Sequence, residues 1–424
     1  MSEWTETPLN RLVSIQKGRK VEMSDHLQHG YARNLGASGI QGKFDGYAST
    51  RNAVVAADSD ILMLWDGERS GLVGHGQVGV VASTVCRLTP VPSIHSQYLY
   101  FALALQFDWI QNRRTGSGVP HVAKEIGRIL VVRHPKTRAA QARIAAILAC
   151  LDTVIEKTEA LIEKHQQIKA GLMHDLFTRG VLPDGQLRPS REQAPELYRE
   201  TAAGWFPENW SAETLESLLA PVANNIRSGP FGSALLKHEL VENGTPLLGI
   251  DNIHVEEFRL DFKRFVSARK FRELSRYRVR PRDVIITIMG TVGRCCVVPD
   301  DLEIALSSKH LWTMTFDVER VIPELIGWQL NHAEWAKAWF RRCVQGGIMD
   351  AIQSSTLKTL KLPLPGIDEQ RRIFARYEGA QSQLERSRAQ LTKLRQQKLG
   401  LMQDLLTGKV PVNVDAPMAE PAHA

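Results

Sequence analysis

Seam residues recur at alternating spacings of four and three from Ile144 through Leu148, Leu151, Ile155, Thr158, Ile162, His165, Lys169 and Leu172 to Leu176. That period places them on one side of a long helix in coiled-coil register. The same spacing returns in Ile373, Tyr377, Ala380, Leu384, Ser387, Leu391, Leu394, Lys398, Leu401 and Leu405. Adding 229 superposes 141–181 on 370–410 without a gap, and 16 of the 41 positions are identical. The match is densest where GLMHDLFT (171–178) meets GLMQDLLT (400–407). Pro135 and Pro365 precede the helices, Thr137 and Asp368 stand as N-caps, and Gly180 and Gly408 as stops. Polar residues share seam places, Thr158 with Ser387 and Lys169 with Lys398, which fixes register at some cost in stability. The pattern predicts two long helices pairing antiparallel within one chain, because a globular segment separates the copies.

The repeat reaches back into the segments before each helix. DILMLWDG (60–67) resembles DVIITIMG (283–290), Arg113, Arg114 and Gly118 match Arg341, Arg342 and Gly347, and Trp4 and Trp205 open the two units. Runs 72–88 and 283–299 are β-branched and broken by glycine, while 96–114 and 323–342 have helical spacing, so each unit reads as compact α+β. The chain divides into a globular domain over 1–134, a spacer helix over 135–181, a linker over 182–203, a second globular domain over 204–364, a second spacer helix over 365–410 and a disordered tail over 411–424.

Composition narrows the class. At 424 residues, 43% hydrophobic and 23% charged, the chain is a multi-unit globular protein rather than a disordered or fibrous one. Five scattered cysteines without a C-x-x-C pair fit a reducing setting, and neither a signal peptide nor a ~20-residue apolar span is expected, which places the chain in the cytoplasm, away from membranes.

The chain offers little for catalysis. GHGQVG (74–79) matches a dinucleotide fingerprint but runs into a β-like segment, and GASGIQGK (36–43) has the wrong glycine spacing for a phosphate loop, with Phe44 where Ser or Thr must follow. The carboxylates of PDDLE (299–303) read as a surface turn, and His26 with His29 lacks a third metal ligand nearby. No catalytic residue and no metal site is expected.

The net charge of +7 hides a sharper feature. Residues 259–282 hold ten bases (Arg259, Lys263, Arg264, Arg269, Lys270, Arg272, Arg276, Arg278, Arg280, Arg282) against Asp261 and Glu273, a local +8 with aromatic residues interleaved. Such a patch neutralises phosphates with counterion release. Lys263, Arg264, Arg269, Lys270, Arg272, Arg276 and Arg278 are therefore candidate DNA-binding residues. Lys17, Arg19, Lys20, Arg113 and Arg114 are the counterparts in the first unit, and Arg341 and Arg342 complete the set.

These residues resemble the specificity subunit of type I restriction-modification systems. The carriers are LPLPGIDEQRRI (362–373), the endings LMQDLLTGKV and LMHDLFTRGV, and SGPFGSAL with DVIITIMGTVGR in the second unit. The first copy departs at HPKTRAAQARI (134–144), which lacks an acidic residue before Gln141. The resemblance implies two target recognition domains that each read half of a bipartite, asymmetric DNA site, with the helix pair as spacer. It implies no catalysis by this chain and no cofactor bound by it. The partners it implies are double-stranded DNA, two modification subunits that bind S-adenosylmethionine and methylate adenine, and restriction subunits that use ATP and Mg2+. The alternatives are a related bipartite-site system without a type I motor, and a non-catalytic coiled-coil DNA-binding scaffold.

Overall fold

The computed structural model describes residues 3–116, 118–201, 204–290, 292–344 and 352–414. Gly347 and the tail from 415 onward lie outside them. The chain forms two compact units, one of Met1–Glu163 with Glu385–Ala424, the other of Lys164–Leu384. Each long helix thus gives one stretch to each unit.

The two units share one topology. In the first, an antiparallel sheet runs in the order Val13–Lys17, Val85–Pro90, Ile61–Leu64, Val73–His75. In the second the order is Ile226–Arg227, Leu311–Met314, Val284–Thr287, Cys295–Val297. The central strands are DILML and DVIIT, whose unbroken apolar runs suit strands buried on both faces. Period two divides their side chains: Ile61 and Met63 enter one core, Leu62 and Leu64 another, and Val284 and Ile286 are likewise separated from Ile285. Both strands start from a buried aspartate held by a threonine, Asp60 by Thr89 at 2.6 Å and Asp283 by Thr315 at 2.5 Å.

A second sheet repeats as closely. In the first unit it orders Met23–Ser24, Tyr47–Ser49, Tyr31–Leu35, Gly79–Val81 and Val55–Ala56, with one parallel step where Asn34 meets Val80. In the second unit Leu240–Val241, Phe265–Val266 and Thr245–Pro246 pair, and a parallel bridge from Leu247 to Leu306 leads on to Ala305–Leu306 and Arg278–Val279. Two glycines of GHGQVG are packing glycines here: a Cβ on Gly74 would lie 1.9 Å from the Ile40 carbonyl oxygen, and one on Gly79 2.3 Å from that of Arg33. The helical segments are Ser96–Leu105 with Phe107–Gln111, and Pro323–His332 with Glu334–Val344.

The long helices are Arg138–Thr178 and Ile367–Thr407, so Asp368 lies inside the first turn, where it pairs with Arg371 at 3.0 Å, rather than capping it. Gly180 and Gly408 have φ of 72° and 76°, the left-handed conformation that ends a helix. Partners descend along one helix as they ascend along the other. Arg395 meets Glu159 at 2.7 Å and Lys398 meets Asp152 in the first unit, while Lys169 meets Gln381 at 2.8 Å and Val181 N donates to Glu369 at 3.1 Å in the second. The pairing is antiparallel in both. Asp152 and Gln381 are themselves 229 apart, so the two seam lysines make equivalent contacts, each beside an aromatic ring: Lys169 over Tyr377, Lys398 over Phe101.

Of the pairing residues, Ile144, Leu148, Ile155, Leu176, Ile373, Leu384, Leu394 and Leu405 are buried, and Leu151, Ile162, Leu172, Tyr377 and Leu391 are half-buried. Leu401 departs from the expected seam: it is 37% exposed, and Met402 is buried instead. A straight helix drifts about 20° per heptad from a 3.5 repeat, enough over four heptads to move the stripe by one residue. Met173, Leu176 and Phe177 accordingly pack on the second domain, and Met402, Leu405 and Leu406 on the first.

Two buried glutamines, at matching repeat places, join helix to domain. Gln141 donates to Pro135 O at 2.8 Å and accepts from His95 N at 2.7 Å; Gln370 donates to Pro365 O at 2.8 Å and accepts from Ile322 N at 2.9 Å. Each thereby satisfies a backbone N–H just before Ser96 and Pro323, where a helix leaves donors without intrahelical partners. Trp205 is not the counterpart of Trp4. Trp4 opens the strand Trp4–Pro8, which pairs with Val131–Pro135, and Trp210 precedes the corresponding strand Ser211–Thr214, which pairs with Lys361–Leu364. Trp210 is 3% exposed, whereas Trp205 is 41% exposed in a hairpin of Tyr198–Thr201 with Gly204–Pro207. The linker is therefore structured, and its Arg188 is buried against Glu369 at 3.2 Å.

Candidate nucleic-acid interface

The basic stretch 259–282 turns its apolar residues inward. Phe262 and Val279 pack on one small core and Phe271, Leu274 and Tyr277 on another, while the helix Ala268–Glu273 is capped by Ser267, whose side chain accepts from Lys270 N at 3.2 Å. The bases are thereby left at the surface. Their charge is largely answered by acids from elsewhere in the second unit. Arg264 bonds Asp251, Lys263 lies 3.9 Å from Asp251 and Asp261, and Lys270 bonds Glu239 at 2.8 Å and lies 3.4 Å from Glu273. Arg269 reaches Glu273 at 3.7 Å, Arg259 reaches Glu257 at 3.0 Å, and Arg282 holds Glu324 at 2.7 Å and Asp300 at 3.9 Å. Counting Glu239, Asp251, Glu257, Asp300 and Glu324 reduces the local +8 to +3. Burial opposes ionisation of Asp251, but the Arg264 guanidinium outweighs it and holds the carboxyl below its usual range.

Arg272, Arg276 and Arg278 remain exposed, and among the described residues no carboxylate forms an ion pair with them. Arg276 stacks over Tyr277 at 4.7 Å. Arg276, Arg278 and Arg280 line a depression of about 450 Å3 with Asn224, Ser275 and Pro281, and no acid lines it. Arg280 is set in place by Thr315 at 3.0 Å and the Ala223 carbonyl at 3.1 Å. Guanidinium groups fixed around an acid-free hollow match the geometry of a phosphate.

In the first unit Lys17 pairs with Asp66 at 2.9 Å, and Arg114 donates to the Glu68 carbonyl at 2.7 Å, so both are tied to one turn. Arg113 lies 3.9 Å over the Trp109 ring. Arg19 donates to Asn52 O at 3.4 Å, and Lys20 is exposed. In the second unit Arg341 lies 3.8 Å from Glu334 and Arg342 is exposed. Lys20, Arg272, Arg276, Arg278 and Arg342 are the candidates with charge to spare, whereas Arg114, Arg264 and Lys270 serve the fold first.

Sequence reasoning missed a node in the second unit. Glu256, at φ 58°, accepts from Lys169 at 2.8 Å, lies 3.0 Å from His332 Nε2, and accepts from the Tyr377 hydroxyl at 3.4 Å. The doubled seam lysines were its only trace in the sequence. Among the described residues no three His, Cys, Asp or Glu side chains gather as a metal site, and no helix is long and apolar enough to cross a membrane. Burial pushes the thiols of Cys86 and Cys296 up to about 12, which keeps them protonated and poor nucleophiles.

Comparison with known proteins agrees with this architecture. Residues 1–168 match the type I restriction modification DNA specificity domain. Over 421 residues the chain is 25% identical to the type I restriction enzyme MjaVIII specificity subunit of Methanocaldococcus jannaschii, covering 97% of this chain and 93% of that one. Along nearly its whole length the chain is thus similar to the specificity subunits of type I restriction-modification systems. The EcoBI specificity subunit of Escherichia coli is 21% identical over 324 residues, 75% of this chain and 66% of that one. The fold matches the crystal structure of a type I system S subunit from M. genitalium with a TM-score of 0.57 at 16% identity, over 95% of this chain and 96% of that one. A chain from a structure of type I restriction-modification complex assembly matches with a TM-score of 0.55 at 15% identity, over 96% and 98%.

Proposed function

We propose that this chain is the non-catalytic reader of its complex: each unit recognises one half of a bipartite, asymmetric DNA site. The observation that carries it is one topology built twice with different surfaces. The sheets repeat strand for strand, yet the second unit carries a hollow lined by Arg276, Arg278 and Arg280, while a depression on the first is lined by Gln41, His75, Gln77 and Glu156. Equivalent frames with unlike surfaces read unlike half-sites, and the frame repeated in the helices offers equivalent docking places to two identical modification subunits. Those subunits would bind S-adenosylmethionine and methylate adenine, and restriction subunits would supply ATP- and Mg2+-dependent cleavage, all in the cytoplasm. The two long helices set the unread spacer.

Selection from a randomised DNA pool by the chain with its modification subunits tests this. Two short fixed blocks separated by a constant unspecified gap are expected. A single contiguous block, or no enrichment, would contradict the reading.

A further inference from the structure

The second unit also contains a cavity of about 540 Å3 whose lining differs from the arginine hollow. Leu247 and Leu248 lie at its floor and are 7% and 0% exposed, while Ile250 and Met289 at the rim are 38% and 36% exposed. The SGPFGS turn forms one wall through Pro230 and Gly232. The first glycine of that turn is pressed onto the segment after Ala305–Leu306: a Cβ on Gly229 would sit 2.2 Å from the Ser307 carbonyl oxygen. The wall is therefore fixed rather than adaptable.

The polar features converge on one kind of occupant. Lys237, Lys309 and Arg264 line the cavity, and no carboxylate does. Arg264 Nε and Ser308 Oγ are buried without a hydrogen-bond partner, a costly arrangement that a ligand acceptor would relieve. Burial, followed by the charges of Lys309 and Arg264, holds His310 below its usual range, so that it offers a neutral imidazole. The apolar floor, the unsatisfied polar atoms and the ammonium groups of Lys237 and Lys309 together describe a planar group with acceptors attached to an anion. Arg264 belongs also to the basic stretch 259–282, which places that stretch in the wall of the cavity.

We propose that this cavity takes one nucleotide extruded from the duplex, its base over Leu247 and Leu248 and its phosphate beside Lys237 and Lys309. The inference rests on the DNA-reading function above. An unstacked base is recognised by stacking against apolar side chains and by hydrogen bonds to its edge, which the floor and the two unsatisfied groups supply.

The test uses the full chain with its modification subunits on duplexes carrying its mapped target. Every half-site position other than the methylated adenines is probed, purines with 2-aminopurine, cytosines with pyrrolocytosine and thymines by permanganate oxidation. A several-fold rise in fluorescence or reactivity at one position is expected. Ile250→Trp, which fills the cavity mouth, should abolish it, and Ser308→Ala should weaken it; the second variant keeps the test open if the first does not fold. DNA bound with no responsive position, or with a response unchanged in every folded variant, overturns the inference while leaving the DNA-reading function standing. A complex that binds no DNA overturns both.

Discussion

Replacing Arg272, Arg276 and Arg278 together by alanine is expected to weaken DNA binding by about 10- to 100-fold near 0.15 M salt. It should also flatten the plot of log affinity against log salt by about 2 to 3, roughly 0.9 for each phosphate no longer neutralised. These arginines are exposed and, among the described residues, form no ion pair with a carboxylate, so their charge is available to phosphates and their removal leaves no buried acid unpaired. The neighbouring triple Arg269, Lys270 and Arg272 should give a smaller slope change. Lys270 is only 13% exposed and already bonded to Glu239, so its loss acts through folding. Equilibrium binding across a salt series, with unfolding midpoints measured in parallel, separates the two effects. An unaltered slope in the first triple would sink the assignment.

Glu256→Gln is expected to destabilise the second unit by about 3 kcal/mol at neutral pH. Burial alone would raise the Glu256 carboxyl, but hydrogen bonds from His332 and Lys169 outweigh it and lower it from 4.5 to about 2. A carboxyl depressed in the folded state stabilises at full strength above its unfolded value and loses that contribution as pH falls toward the folded one. The difference between native and variant proteins should therefore be constant above about pH 5 and shrink between roughly pH 4.5 and 2. Denaturant unfolding at several pH values checks this, and a difference independent of pH across that window would contradict it. Lys169→Met should destabilise less, by about 1.5 to 3 kcal/mol, because the half-buried Glu256 loses one charged hydrogen bond but keeps His332 and Tyr377.

What the sequence disclosed follows from which interactions are local. The seams of Ile144–Leu176 and Ile373–Leu405 are periodic in the chain itself, as are the DILML and DVIIT runs, so the helices and central strands were legible. Gln141 and Gln370 stood at matching places, but their role depends on backbone groups of His95 and Ile322, some 46 and 48 residues away. The basic stretch was legible as charge but not as free charge, since Asp251, Glu239 and Glu324 that answer it come from other elements. Trp205 answers to Trp4 only by its place at the head of a unit, because spacing alone does not separate a buried strand-flanking tryptophan from an exposed hairpin one. The cavity above Leu248 was hidden, because its walls come from five separated segments of the second unit.

Genome-wide methylation mapping of the host with and without this chain tests the central claim most directly. The predicted result is methylated adenine within one bipartite, asymmetric motif that disappears when the chain is absent and returns with it. Adenine methylation at an unchanged motif in the absence of the chain would contradict the account.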